Sequence, residues 1–171
     1  MEIKQVKRMN LTKEQAAVVK GLMRELWDIE EPFLQHVPAM YGGLEYMLIS
    51  AFNKLDDLLL GYVDGELVAF LGNQIECHNE VDKLVVKQEH RGKGYGRCLI
   101  HGFKLIVRKP MFVIITPGNI NACKFYESVG FDVEDKENRV GAQIDRYQVG
   151  YFTGALDRCL NYEIGVLDGS S

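Results

Sequence analysis

The sequence has no apolar run approaching the roughly 20 residues that cross a bilayer. Its opening, MEIKQVKRMN, lacks the hydrophobic stretch of an export signal. Neither membrane spanning nor secretion is expected, and a cytoplasmic location follows by default. Cysteine is scarce: Cys77, Cys98, Cys123 and Cys159 are widely separated, with no C-x-x-C pair and no nearby histidine at zinc-ligand spacing. No metal centre is expected, and the thiols are read as reduced. Positive charge is not in excess. With 20 Lys and Arg against 24 Asp and Glu, the net charge is −4, which argues against a general nucleic-acid binder, since such proteins need a broad cationic footprint. Internal repeats, low-complexity tracts and linkers rich in Pro, Gly or Ser are also missing before the final DGSS. A chain of 171 residues without a linker is expected to form one domain, residues 1–171, able to bury roughly two thirds of its unfolded surface.

What is present is a local concentration of glycine and positive charge. In KQEHRGKGYGRCLI, Gly92, Gly94 and Gly96 alternate with basic or aromatic residues, flanked by Arg91, Lys93 and Arg97. The segment follows the apolar run Leu84, Val85, Val86. Glycine at this density costs backbone entropy that a passive connector has no reason to lose. A strand passing through such a turn into a helix aims unpaired N–H groups at one point, carrying roughly half a positive charge. Lys93 and Arg97 sit at the wrong end of a helix for cations, an arrangement that a bound phosphate would reverse. The spacing matches neither the Walker pattern nor G-x-G-x-x-G, which disfavours nucleoside triphosphates and dinucleotides. It fits R-x-x-G-x-G, realised by Arg91, Gly94 and Gly96.

The surrounding periodicities set the order of elements. A helix is expected from the N-cap Thr12, with Val18, Leu22 and Leu26 on one face flanked by Val19 and Met23. GGLEYMLISAF reads as a second helix. LLLGYV and ELVAFLGNQI form a hairpin around Asp64-Gly65, and VDKLVV a further strand. A helix over about 94–108 follows, with Tyr95, Leu99, Phe103, Ile106 and Val107 inward, stopped by Pro110. MFVIIT reads as a strand covered on both faces, closing a parallel βαβ unit. Asn119 caps a short helix carrying Ala122, Phe125, Tyr126 and Val129, ended by Gly130, and Phe131 opens the next strand. Phe152, Ala155, Leu156, Cys159 and Leu160 fit one more amphipathic helix, and YEIGVL a last strand.

LVVKQEHRGKGYG and NINACKFYESVGF together resemble the GCN5-related N-acetyltransferases (GNAT). The first is similar to the family's fourth strand and pyrophosphate loop. The second is similar to its N-x-x-A-x-x-x-Y-x-x-x-G-F segment, with Asn119, Tyr126, Gly130 and Phe131 on the matching positions. The stretch from Glu80 to Phe131 covers about a third of the chain; Gln88 stands where the family often has proline. The resemblance implies an α/β (α+β) fold, a mixed, mostly antiparallel twisted sheet with a central parallel βαβ unit flanked by helices. It implies acetyl-CoA as cofactor. The pyrophosphate would lie on the N–H groups of Gly92, Lys93, Gly94, Tyr95, Gly96 and Arg97 beside Arg91, and the pantetheine arm along Leu84, Val85 and Val86. The Val86 N–H would polarise the thioester carbonyl, and Asn119 would bond the arm from the other side.

Direct attack of an amine on the thioester needs a neutral amine and a protonated leaving thiol. Tyr126 matches the family's tyrosine and is the expected acid, with a core aromatic as the plain alternative. Glu80 aligns with the family's glutamate base where one exists, and Asp82, two residues on, shares its strand face; a solvated strand end is the alternative for both. Trp27, Asp28, Glu30 and Glu31, in WDIEEPFLQHVPAMY, pair carboxylates with an aromatic and suit a cationic acceptor, though a solvated acidic loop accounts for them equally. The expected reaction is acetyl transfer to a primary amine, a small cationic molecule or a protein amine. A homodimer is compatible with this reading. The competing readings are a non-catalytic acyl-CoA-binding or partner-binding module of the same fold, and a nucleotide-phosphate binder using the same helix terminus.

Overall fold

The computed structural model describes residues 1–33, 43–107, 110–116, 119–134, 148–152 and 164–166. Strand β1 (Glu2–Lys7) leads to helix α1 (Lys13–Glu30). Helix α2 (Leu44–Lys54) runs into the hairpin β2 (Leu55–Val63) and β3 (Glu66–Gln74). Then come β4 (Glu80–Val81), β5 (Lys83–Val86), α3 (Tyr95–Val107), β6 (Phe112–Ile115), α4 (Ile120–Ser128), β7 (Phe131–Glu134), β8 (Gln148–Phe152) and β9 (Ile164–Val166). They assemble as two sheets, ordered β5-β3-β2-β1-β9 and β4-β6-β8-β7. Pairing is antiparallel except for β1 with β9 and β4 with β6. The mixed, mostly antiparallel architecture expected from the sequence is present.

The hairpin turns where its dipeptide dictates: Asp64 and Gly65 have φ of 51° and 83°, the two positive angles of a type I′ turn. Helix α1 starts on a capping box, in which the Gln15 N–H donates to Thr12 Oγ1 at 3.1 Å and the Thr12 N–H to Gln15 Oε1 at 2.9 Å. Its buried stripe is Val19, Leu22, Met23 and Trp27, one residue round from the expected face, and Val18 is 39 % exposed. Val19, Leu22 and Met23 of this stripe pack with Leu58, Leu60 and Phe70 of the central strands, along with Phe52 and Val85. The other sheet face carries α3, whose Leu99, Ile100 and Phe103 cluster with Leu59, Ala69 and Leu71.

Four expectations change. Strand β1 has no counterpart in the sequence reading. Its only apolar residues, Ile3 and Val6, are three apart and therefore enter opposite cores. VDKLVV is not one strand: Glu80 and Val81 pair in parallel with Phe112 and Val113, whereas Lys83–Val86 pairs antiparallel with β3. The parallel βαβ pairing is thus two residues long, and the chain changes sheets at Asp82, whose N–H donates to the Gly72 carbonyl at 3.1 Å. MFVIIT is not covered on both faces; Val113 and Ile115 are buried while Ile114 is 46 % exposed, because the space beside it is a cleft. Finally, Phe152 ends strand β8 rather than starting a helix; Ala155, Leu156, Cys159 and Leu160 lie outside the described residues. The YEIGVL strand is present as β9, parallel to β1.

Candidate active site

Because β5 leaves with one sheet and β6 with the other, a wedge opens between them. It forms a cleft of ≈ 620 Å³ lined by β5, the glycine turn, β6, α4 and the last turns of α1. The pleat decides which β5 groups face it. The Lys87 N–H donates to the Val68 carbonyl at 2.8 Å, so by antiparallel alternation Val85 also bonds toward β3, while the polar groups of Leu84 and Val86 point the other way, into the wedge. The Val86 carbonyl on that side accepts from Arg91 Nε at 2.8 Å. Val85 turns its side chain into the core beneath α1 and does not line the cleft, whereas Leu84 and Val86 do.

At one end lies the turn into α3. Gly92 and Gly94 have φ of 74° and 83°, left-handed values that any residue with a Cβ adopts only with strain. Helix α3 then opens with Tyr95, and its first backbone bond runs from the Cys98 N–H to the Gly94 carbonyl at 3.1 Å. The N–H groups before Cys98 are left without helical partners at the cleft mouth. Gly96 serves a different purpose. A Cβ there would stand 3.1 Å from the Phe125 ring, so its bareness lets α3 and α4 approach. Arg91 is also held structurally, its guanidinium 3.4 Å from Glu25 of α1. Arg91, Gly92, Gly94, Tyr95, Gly96 and Arg97 line the cleft; Lys93, exposed, does not.

The far end gathers titratable groups. Tyr126 is buried, its ring edge-on to Phe125 and Phe131 with centroids 5.2 Å from each. Burial holds its phenol well above the ordinary range, reinforced by the negative charges of Glu30 and Asp82. Asp82 lines the cleft and accepts hydrogen bonds from Gln74 Nε2 at 2.8 Å and Lys83 Nζ at 2.9 Å. Glu80, only 8 % exposed, is not part of the lining. Desolvation raises its pKa, with Asp82 adding to the rise and Lys83 opposing it. Asn119 is buried in the cleft wall, its side-chain oxygen accepting from the Ala122 N–H at 3.0 Å as the α4 cap, which leaves its NH₂ as a donor.

Of the four residues grouped as acceptor-binding, the structure brings only Glu30 to the cleft. Trp27 is buried in the fold, and Asp28 and Glu31 are exposed outside the lining. Residues 34–42 of that segment lie outside the described residues. The sequence reading missed Leu26 and Ile29 of α1, Thr116 after β6, and His90, all in the lining. His90 has a buried Nδ1 without a hydrogen-bond partner and a ring 6.3 Å from that of Tyr95. Only the helical period linking Leu26 and Ile29 to Leu22 could have signalled any of these. Away from the cleft, Asp56, Asp57 and His78 converge, but the cation between the carboxylates is the Lys7 ammonium, 2.9 Å from each.

An acetyltransferase (GNAT) domain model matches residues 55–133, which include the turn, the wedge and Tyr126. Among curated proteins, none matches this sequence significantly. Among solved structures, PaiA N-acetyltransferase from Thermoplasma acidophilum, in complex with coenzyme A, is 18% identical with a TM-score of 0.59, covering 89% of this chain and 99% of that one. The apo form of YjaB from Escherichia coli is 19% identical with a TM-score of 0.61, over 90% and 98% of the two chains. A spermidine N-acetyltransferase SpeG chimera from Vibrio cholerae and hSSAT is 16% identical with a TM-score of 0.52, over 89% and 96%. Residues 55–133 thus match the acetyltransferase (GNAT) domain model, and the fold built around them is the GNAT fold.

Proposed function

We propose that the protein transfers acetyl from acetyl-coenzyme A to a primary amine by direct attack. The observation that carries this reading is the wedge itself: a cleft with helix-terminal N–H groups at one end, bare strand polar groups along its side, and a buried tyrosine with carboxylates at the other. A diphosphate fits the first, an extended amide-containing arm the second, and acyl transfer the third. The coenzyme A bound to PaiA supports the cofactor assignment.

In this reading the N–H groups of residues 92–97 hold the pyrophosphate, with Arg91 and Arg97 supplying positive charge. Lys93, outside the lining, contributes only through the field. The arm lies against Leu84 and Val86, its amides meeting the outward polar groups of β5, and the Asn119 NH₂ reaches it from α4. In this proposal the Val86 N–H, on the wedge side of β5, polarises the thioester carbonyl. Tyr126, kept protonated by burial, donates to the departing thiolate. Of the two carboxylates first considered as base, Asp82 reaches the cleft directly, and Glu80 would act through a relay. The acceptor is a primary amine, small and cationic or on a protein.

Calorimetric titration with coenzyme A, ATP and NAD, followed by thiol release from acetyl-CoA with spermidine, an aminoglycoside, amino-acid amides and a lysine peptide, tests the proposal. Selective binding of coenzyme A and amine-dependent release are expected. Binding without release would reduce the protein to an acyl-CoA-binding module, and no binding would sink the reading.

A further inference from the structure

Glu30 is the last residue of α1. It lines the inner cleft half-buried, and its Oε1 accepts a hydrogen bond from Thr116 Oγ1 at 3.1 Å. A carboxylate at a helix C-terminus faces the negative end of the dipole, so the helix itself gives this charge no support. The groups that face it come from three other elements. Thr116, beyond the end of β6, donates; Lys83 of β5 attracts; Asp82, where the chain changes sheets, repels; and Tyr126 of α4 lies within its electrostatic reach. Glu30 and Tyr126 therefore occupy one wall-to-wall space, whereas Glu80 lies outside the lining.

Resting on the acetyl-transfer reading, we propose that Glu30, steadied by Thr116, is the group that takes the proton from the acceptor amine. The acceptor enters as an ammonium and gives one proton to the Glu30 carboxylate, which later passes it to solvent. The freed lone pair attacks the thioester carbon, forming the C–N bond, and the C–S bond breaks with its electron pair leaving on sulfur. Tyr126 protonates that sulfur and recovers a proton from the newly bonded nitrogen, so amide, free thiol and one released proton balance the ammonium and thioester consumed. Burial raises the Glu30 pKa, and the charges of Lys83 and the Thr116 hydrogen bond hold back part of the rise. A base so raised works closer to neutral pH than a solvated carboxylate.

The test is the pH profile of kcat/KM for amine-dependent thiol release, measured on the full chain alongside calorimetric coenzyme A binding. In Glu30→Gln the rate should fall by about 10²- to 10⁴-fold and the acidic limb vanish, with coenzyme A affinity kept. In Thr116→Val, which removes the donor favouring the carboxylate, the limb should move to higher pH. Glu80→Gln should retain the limb. A limb that persists in Glu30→Gln, or disappears in Glu80→Gln, overturns the assignment while leaving acetyl transfer intact. A wild type that binds coenzyme A but releases no thiol with any amine overturns acetyl transfer, and the assignment with it.

Discussion

The Phe125 ring of α4 lies 3.1 Å from the point where a Cβ on Gly96 of α3 would stand, with a second ring atom at 3.2 Å. A methyl group there requires the ring to give way by a few tenths of an ångström, and a branched side chain requires more. Gly96→Val is expected to lower stability by about 1–3 kcal/mol through overpacking, read as a smaller midpoint in denaturant unfolding. An unchanged midpoint would show that α4 shifts freely.

Gly94 makes the opposite case. Nothing lies within 4 Å of a Cβ built on it, yet its φ is +83°. Gly94→Ala meets no clash but must hold a left-handed conformation costing about 1–2 kcal/mol. Relief of that strain would turn the following N–H groups away from the cleft. Coenzyme A affinity should fall about tenfold or more by titration calorimetry, with thermal stability reduced only modestly.

Tyr126→Phe keeps the edge-on ring contacts with Phe125 and Phe131 and removes one hydroxyl. Turnover is expected to drop on the order of a hundredfold with coenzyme A affinity retained. Equal rates for variant and wild type would remove Tyr126 from proton donation.

The buried Glu80 carries a signature in stability. Its carboxyl pKa is raised in the folded state, chiefly by desolvation, so the native protein holds the proton more tightly than the unfolded chain. That stabilisation is complete below the ordinary carboxyl range and is lost as pH rises through the elevated folded pKa. Glu80→Gln, neutral throughout, should match the wild type in Tm at low pH and melt above it at pH 7, read from thermal unfolding across a pH series. A lower Tm for the variant at pH 7 would mean that Glu80 makes a compensating contact as an anion.

Much of the central fold is legible in the residues. The Asp64-Gly65 turn, the Thr12 cap and the Asn119 cap each have a local chemical cause, and each appears where the sequence puts it. Local causes do not extend to partner choice. Nothing in VDKLVV says that Val81 will pair with β6 and Lys83 with β3, because both halves have the same strand character and only the competing neighbours part them. Strand β1 escaped notice because two apolar residues three apart give no period.

The site divides the same way. Gly92 and Gly94 announce a strained turn, but Gly96 in the same pattern answers to Phe125, which no reading of the loop alone reveals. Val85 could have been set apart from Leu84 and Val86 by alternation alone. Glu30 stood in the sequence as one carboxylate of several; its selection over Asp28 and Glu31 comes from the helical rotation that turns residues 26, 29 and 30 toward the cleft.

The change of sheets at Asp82 has a bearing on handling the protein. Two strand margins look at each other across the wedge, and any segment that can adopt an extended shape is a candidate filler, including a stretch from a neighbouring molecule. Saturating a cofactor site to about a hundred times its dissociation constant adds about 2.7 kcal/mol of apparent stability. Storage with coenzyme A should therefore suppress clumping at high concentration more than its effect on melting alone would suggest.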